Sequence, residues 1–184
     1  DTYAVATSEF AYTMGIEARE ALEGARGSIS RALGASPDEV VFTSGATEST
    51  NMALKGLSGR DHLAISAVED FPVLHSARTL QGQGLRVTHL GVDGEARVDL
   101  DALQDSIDEG TLVSVQHANQ EVGTVQDIAA IADICEEKGA LLHTDATHTF
   151  GRLPLDLSSL RADLVTLAAH TMHGPKGIGA LYVR

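Results

Sequence analysis

VQDIAAIADICEEKGALLHTDATHT, residues 125–149, decides the fold. Ile131, Ala132, Ile134 and Cys135 recur at helical spacing, and Gly139 stops the helix with a residue that tolerates the left-handed conformation. ALLHTD then reads as a short buried strand, and a polar loop follows it. Helix, glycine, strand and polar loop make one unit of an alternating α/β chain, provided the rest of the sequence repeats it.

It does. Upstream, GIEAREALEGARGSISRALG puts Ile16, Ala21, Leu22, Ala25, Ile29 and Leu33 on helical spacing, with Gly34 as the C-cap. VVFTS (Val40 to Ser44) is predicted as a buried strand, and TESTNMALKGL as a helix with Thr47 as its N-cap and Thr50 close behind. HLAIS, LRVTHL and TLVSVQ are strands. DFPVLHSARTLQ, with Pro72 in its first turn, and DLDALQDSI are helices between them. ADLVTLAAH and GALYVR close the chain as two more strands, and their connection is too short for a crossover helix, so they are predicted antiparallel. The expectation is a three-layer α/β/α sandwich around a mostly parallel seven-stranded sheet with the last strand antiparallel, in one domain spanning 1–184 without linker or internal repeat.

Composition narrows the function. The chain is 43% hydrophobic and 21% charged, an ordinary globular balance. Its 26 acidic residues outnumber 13 basic ones, giving a net charge of −13 that argues against nucleic-acid or anionic-membrane partners. One cysteine, Cys135, rules out an internal disulfide and a thiolate zinc cluster, and its place among helical apolar residues predicts a packed thiol. No apolar run reaches membrane-span length and no signal peptide is visible, so a cytoplasmic location is expected. DTYAVATSEF reads as the middle of a longer chain.

In open α/β sheets ligands bind beyond the carboxyl ends of the strands. The segments there are SGATEST, SAVEDF, QHANQEVG, HTDATHT and AAHTMHG, all polar, His-rich or Gly-containing. Gly45, Ala46 and Thr47 enter a helix directly after a strand, which suits an anion held by backbone amides, or equally a plain capped turn. His62, His75, His89 and His117 read as strand-end or surface histidines.

These five segments, with VVFTSGATESTNMALKG and GPKGIGALYVR, resemble the NifS-type cysteine desulfurases, class V aminotransferases that use pyridoxal phosphate (PLP). The resemblance runs from about Gly15 to Arg184 and implies the large, cofactor-binding domain of a fold-type I enzyme, in a homodimer, serving sulfur mobilisation from cysteine and iron–sulfur cluster assembly. It implies that the family's opening segment and its small C-terminal domain, with the sulfur-accepting cysteine and the substrate-carboxylate arginine, lie outside this chain. A partner chain or further domain, and a sulfur-acceptor protein, follow as expected partners. Carried over residue by residue, Gly45, Ala46 and Thr47 bind the phosphate. Asp145 pairs with the pyridine nitrogen and keeps it protonated, Asn119 lies near the phenolic oxygen, and His148 and His170 complete the cofactor site. Asp145 as a turn cap and Asn119 as an Asx turn are the structural alternatives.

The departures from the family pattern are as informative. Glu69 is followed by Asp70 where the family has a histidine that stacks on the cofactor; His148 replaces a glutamine; Ala168 replaces a phosphate-binding serine. Thr171 stands at the Schiff-base lysine, and Lys176 occupies a separate family lysine position. PLP is therefore expected to bind without a covalent bond at best, and no catalytic residue remains as written. Two alternatives stay open: a non-catalytic scaffold of the same fold, with no cofactor, and a metal site built from Asp70, Asp145, His148 and His173.

Overall fold

The structure, a computed structural model, describes residues 12–56 and 58–184. Helix α1 (Thr13–Leu33) ends at Gly34 in the left-handed conformation, as its sequence requires. Strands and helices then alternate: β1 (Val40–Thr43), α2 (Ala46–Gly56), β2 (His62–Ser66), α3 (Phe71–Gly82), β3 (Arg86–Leu90), α4 (Leu100–Ser106), β4 (Thr111–Ser114), α5 (Ile128–Lys138), β5 (Leu141–Asp145), the short α6 (Leu157–Leu160), β6 (Leu164–Ala168) and β7 (Gly179–Val183). They form a seven-stranded sheet in the order β1-β7-β6-β5-β4-β2-β3. β7 is antiparallel to both β1 and β6, and the remaining pairs are parallel, as the short β6–β7 connection demands.

Side chains alternate along each strand, so the sheet has two buried faces. Leu63, Ile65, Leu112, Leu164 and Leu181 meet Ala53 and Leu54 of α2 and Val73 and Ala77 of α3. On the opposite face Val113, Leu142, Val165, Leu167 and Tyr182 meet Leu103 of α4, and Ile128, Ile131 and Cys135 of α5. Leu33, at the end of α1, joins this second core. Cys135 is buried as expected, and burial pushes its thiol up to about 12, which keeps it unreactive.

Four sequence expectations need correction. The buried positions of α1 are Gly15, Ala18, Ser30 and Leu33, near its two ends, so Ala21, Leu22 and Ala25 face solvent. VVFTS forms a strand only to Thr43, and only Val40 is buried, because β1 is an edge of the sheet. Thr47 is not an N-cap: α2 starts at Ala46, and Thr47 lies inside it. His62 begins β2 and His117 follows the end of β4, strand-end positions as read, but both are buried rather than superficial. The His62 ring bridges Thr111 and Thr88 at 2.9 Å each, and the His117 ring bonds Thr149 at 2.9 Å. Each ring nitrogen so engaged is satisfied by a hydroxyl, which sequence spacing does not reveal.

Candidate functional site

The site lies where β1, β2, β4, β5 and β6 end. Its first component is the entrance to α2. Gly45 has a φ of 149°, a conformation that suits glycine. β7 crosses so close that a Cβ on Gly179 would stand 2.6 Å from the Gly45 Cα. The bare Gly179 therefore lets a strand pass directly beneath the turn, and Gly45 supplies the turn's positive φ. The Ser44 amide and hydroxyl donate to the Glu48 carboxylate at 2.7 and 2.6 Å, which closes the turn and holds that carboxyl below its usual range, the hydroxyl contributing most. The first amides of α2, those of Ala46 and Thr47, are left without helical partners and carry the positive end of the helix dipole.

The second component is a set of buried carboxyl groups. Asp145 ends β5 with 2% of its surface exposed, and its Oδ1 accepts from the Thr147 amide at 2.8 Å. Burial pushes its pKa up, the Thr147 hydroxyl and then the Thr147 amide oppose that, and the charges acting on it are Asp70 and His148. Glu69 is 6% exposed; its Oε1 accepts from the Ser66 hydroxyl and the Gln116 amide, each at 2.7 Å. Burial, aided by repulsion from Asp145 and Asp70, pushes the Glu69 carboxyl up to about 8. Glu69 is thus a neutral acid at pH 7, and its Oε2 is buried with no hydrogen-bond partner. Gln116 Oε1 and Thr147 Oγ1 are orphaned in the same way. The Thr147 hydroxyl acts on the Asp145 carboxylate without hydrogen bonding to it. Buried polar atoms without partners are rare, and here they gather at one sheet edge.

Beneath this set, one turn of strand deeper, every polar group is satisfied. The His143 ring bridges Ser114 at 2.8 Å and Thr166 at 3.0 Å, and Thr166 reaches Thr50 of α2 at 3.4 Å. Burial pushes His143 down to about 3, so it is a neutral strut linking β4, β5 and β6 to α2.

The sequence-predicted residues divide clearly. Asp145, His148, Gly45 and Ala46 stand at this edge, Thr47 with them inside α2. Asn119 does form the Asx turn: its Oδ1 accepts from the Glu121 and Val122 amides at 2.8 and 3.0 Å, and its Nδ2 donates to the Val68 carbonyl at 2.8 Å. It pins the loop carrying Glu69 to the loop after β4. His170 and Lys176 are exposed, and His173 adopts a left-handed φ of 66° where a 3-10 turn, Ala169–Met172, ends. Thr171 is buried, and its hydroxyl turns back to the backbone carbonyls of Thr147 and Ala168, the latter at 2.9 Å. Asp70 caps α3, accepting from the Phe71 amide at 2.7 Å. Among the described residues no three His, Cys, Asp or Glu side chains converge to hold a metal, so Asp70, Asp145, His148 and His173 do not assemble as ligands.

The residues that spacing did not single out are Glu69 as a functional acid, Gln116 and Thr147. Each follows a strand end by a few positions, and the adjacent acids Glu69 and Asp70 of SAVEDF were the available signal.

The donor set fits the non-covalent half of a PLP site. An amide-rich helix start suits a phosphate, and a buried carboxyl group on which no lysine or arginine acts among the described residues lacks the donor that a protonated pyridine nitrogen provides. The covalent half does not fit, because Thr171 offers no amine.

Comparison with known proteins agrees with this geometry. The aminotransferase class-V family matches residues 1–184. Cysteine desulfurase IscS of Proteus mirabilis is 45% identical over 179 residues, covering 94% of this chain and 44% of the relative, so the chain spans less than half the length of that protein. Among solved structures, a NifS-like protein superposes with a TM-score of 0.94 at 37% identity, covering 100% of this chain and 52% of that one. The structure described as SspA in complex with cysteine superposes with a TM-score of 0.90 at 37% identity, covering 97% and 53% respectively. From motifs, sheet order and these matches together, the chain belongs to the class-V aminotransferase family, as a cysteine-desulfurase-like domain.

Proposed function

We propose that this chain is the cofactor-binding domain of a cysteine-desulfurase-like protein that holds PLP without a covalent bond and is impaired or inactive in sulfur mobilisation. Bound PLP supplies an electron sink that labilises bonds at a substrate amino acid's α-carbon. The chain's own residues bind and orient. The α2 entrance at Gly45, Ala46 and Thr47 receives the phosphate, Asp145 accepts from the ring nitrogen and keeps its proton in place, and Asn119 fixes the loop that carries Glu69. His148 and His170 border the site. Thr171 neither bonds the cofactor nor carries a proton to and from substrate.

The observation that carries the reading is the orientation of Thr171: its hydroxyl is already committed to the carbonyls of Thr147 and Ala168. Cysteine as the amino-acid substrate is supported by the SspA structure, whose description includes cysteine. By the same reasoning the working assembly is a cytoplasmic homodimer, completed by a small domain on a longer polypeptide or a partner chain, and it passes sulfur to an acceptor protein for iron–sulfur cluster assembly. The same orientation of Thr171 favours a second reading, a non-catalytic member of the family that keeps the fold for assembly.

The test is Thr171→Lys with PLP in excess, followed by absorbance. The expected result is a visible band of lysine-bound cofactor in the variant and none in the unmodified chain. A variant that folds but gains no band would show that the edge is not a PLP site, leaving the scaffold reading.

A further inference from the structure

The segments that follow β5 and β6 are fastened to each other, and Asp145 lies at the root of one of them. β5 and β6 are parallel neighbours, with Asp145 opposite Thr166. The Ala146 amide extends the pairing by donating to the Thr166 carbonyl at 3.0 Å. β5 ends there, and side chains take over. The Thr171 hydroxyl, in the turn after β6, donates to the Thr147 carbonyl in the loop after β5. In return Arg152, further along that loop, donates to the Thr171 carbonyl at 2.6 Å. Each segment thus gives a side-chain donor to a backbone carbonyl of the other. Gly151 lies against Met172 in the same place: a Cβ on it would stand 3.4 Å from the Met172 Cβ.

The consequence falls on Asp145. Thr147 is held through both of its backbone groups: its amide donates to Asp145 Oδ1 at 2.8 Å, and its carbonyl accepts from Thr171. Asp145, Thr147 and Thr171 are all buried, so a bond lost among them is not readily replaced by solvent. Threonine suits this role. Its hydroxyl sits one carbon from the backbone, within reach of nearby carbonyls, and its branched Cβ restricts the rotamers it can take.

We infer that Thr171 is a positioning residue: through the Thr147 carbonyl it fixes the orientation of the Asp145 carboxyl group, and Arg152 completes the fastening. The hydrogen bonds stand whatever the site binds. Their effect on ligand affinity rests on the reading of Asp145 as the partner of the cofactor's ring nitrogen.

Thr171→Val removes the hydroxyl at nearly constant shape, and Thr171→Ser keeps it. Lysine would add a charge and a covalent tether of its own, so valine and serine are the informative substitutions. In equilibrium dialysis against PLP at neutral pH, Thr171→Val raises the Kd at least about fivefold, and Thr171→Ser stays within about twofold of the unmodified chain. The second measurement is a carbon-detected NMR titration of the Asp145 carboxyl group without ligand, assigned with Asp145→Asn. Asp70 and His148 act on this group by their charge, and Asp145 acts on Glu69; neither substitution alters those charges. The Asp145 titration moves upward in Thr171→Val, because the hydroxyl and amide of Thr147 no longer oppose burial, and keeps its place in Thr171→Ser. A threonine with a merely structural role would lower the melting temperature and leave both readings where they were. An Asp145 titration that is unchanged or lowered in Thr171→Val overturns the inference. A raised titration with an unchanged Kd upholds the positioning and overturns the part given to Asp145 in cofactor binding. Absence of binding by the unmodified chain overturns the cofactor reading, and the titration alone then upholds or overturns the positioning. Circular dichroism establishes folding; if Thr171→Val does not fold, Arg152→Met, at an exposed residue, carries the same test with the same expected directions.

Discussion

Glu69→Gln isolates a strongly perturbed acid of the site. Glutamine keeps an oxygen for the Ser66 hydroxyl and the Gln116 amide but cannot ionise. The wild-type carboxyl has its pKa raised by burial from 4.5 to about 8 in the folded chain. A raised pKa means that the folded state holds the proton more tightly than the unfolded state. Stability from this group is therefore complete below pH 4.5 and is lost as pH rises to about 8. Each pH unit in that window costs about 1.4 kcal/mol, so the loss is about 3 kcal/mol by pH 7 and about 5 kcal/mol above pH 8. That is a large share of the ~5–15 kcal/mol that holds a typical domain folded. Glu69→Gln should match wild type near pH 4.5, exceed it increasingly up to about pH 8 and by a constant margin above that. Urea unfolding at one-unit pH steps, followed by far-ultraviolet circular dichroism, measures the difference directly. A stability difference that does not change between pH 5 and 9 would refute the assignment of Glu69 as a buried neutral acid.

His143 and Gly179 give two further expectations. His143 is lowered to about 3 by burial, so its contribution is complete above pH 6.5 and is lost as pH falls toward 3. His143→Gln should flatten the acid arm of the stability curve by about 1.4 kcal/mol per pH unit, while lowering stability at neutral pH through poorer bridging of Ser114 and Thr166; acid unfolding midpoints check this. Gly179→Ala would drive a methyl group into the Gly45 backbone and should cost about 1–3 kcal/mol while shifting the α2 entrance, seen as a lower melting temperature and weaker phosphate-ester binding in dialysis.

Much of this molecule was legible in the sequence, for reasons that can be named. Gly34 and Gly139 both end helices in the left-handed conformation, and a glycine after a periodic apolar run is a signal local enough to read directly. The reversal of β7 followed from chain length alone. The failures share a different cause. β1 lies at a sheet edge, and nothing in VVFTS states its place in the strand order. His62 is buried because Thr88 and Thr111 come to it from two neighbouring strands, 26 and 49 residues away in sequence. For Asn119, the sequence offered both a cofactor contact, by family position, and an Asx turn, and only the tertiary structure shows its oxygen accepting from two amides of its own loop. Family motifs located the site, but the hydrogen-bond state of each atom depended on tertiary contacts.

The division between scaffold and site falls within single strands. His143 and Asp145 are two residues apart on β5 and point to the same face of the sheet, and Gln116 follows Ser114 by two residues beyond the end of β4. In the inner row, Ser114, His143 and Thr166 bond one another, and both ring nitrogens of His143 are used. In the outer row, Gln116 leaves an oxygen bare, Asp145 sits uncompensated by any lysine or arginine, and Glu69 retains its proton. Both rows are equally buried, so desolvation penalises them alike, and only the inner row is repaid within the chain. The incompleteness of the outer row over one short arc of the sheet edge, directly above a fully satisfied layer, is what a site that expects a polar ligand looks like in the absence of any appeal to family.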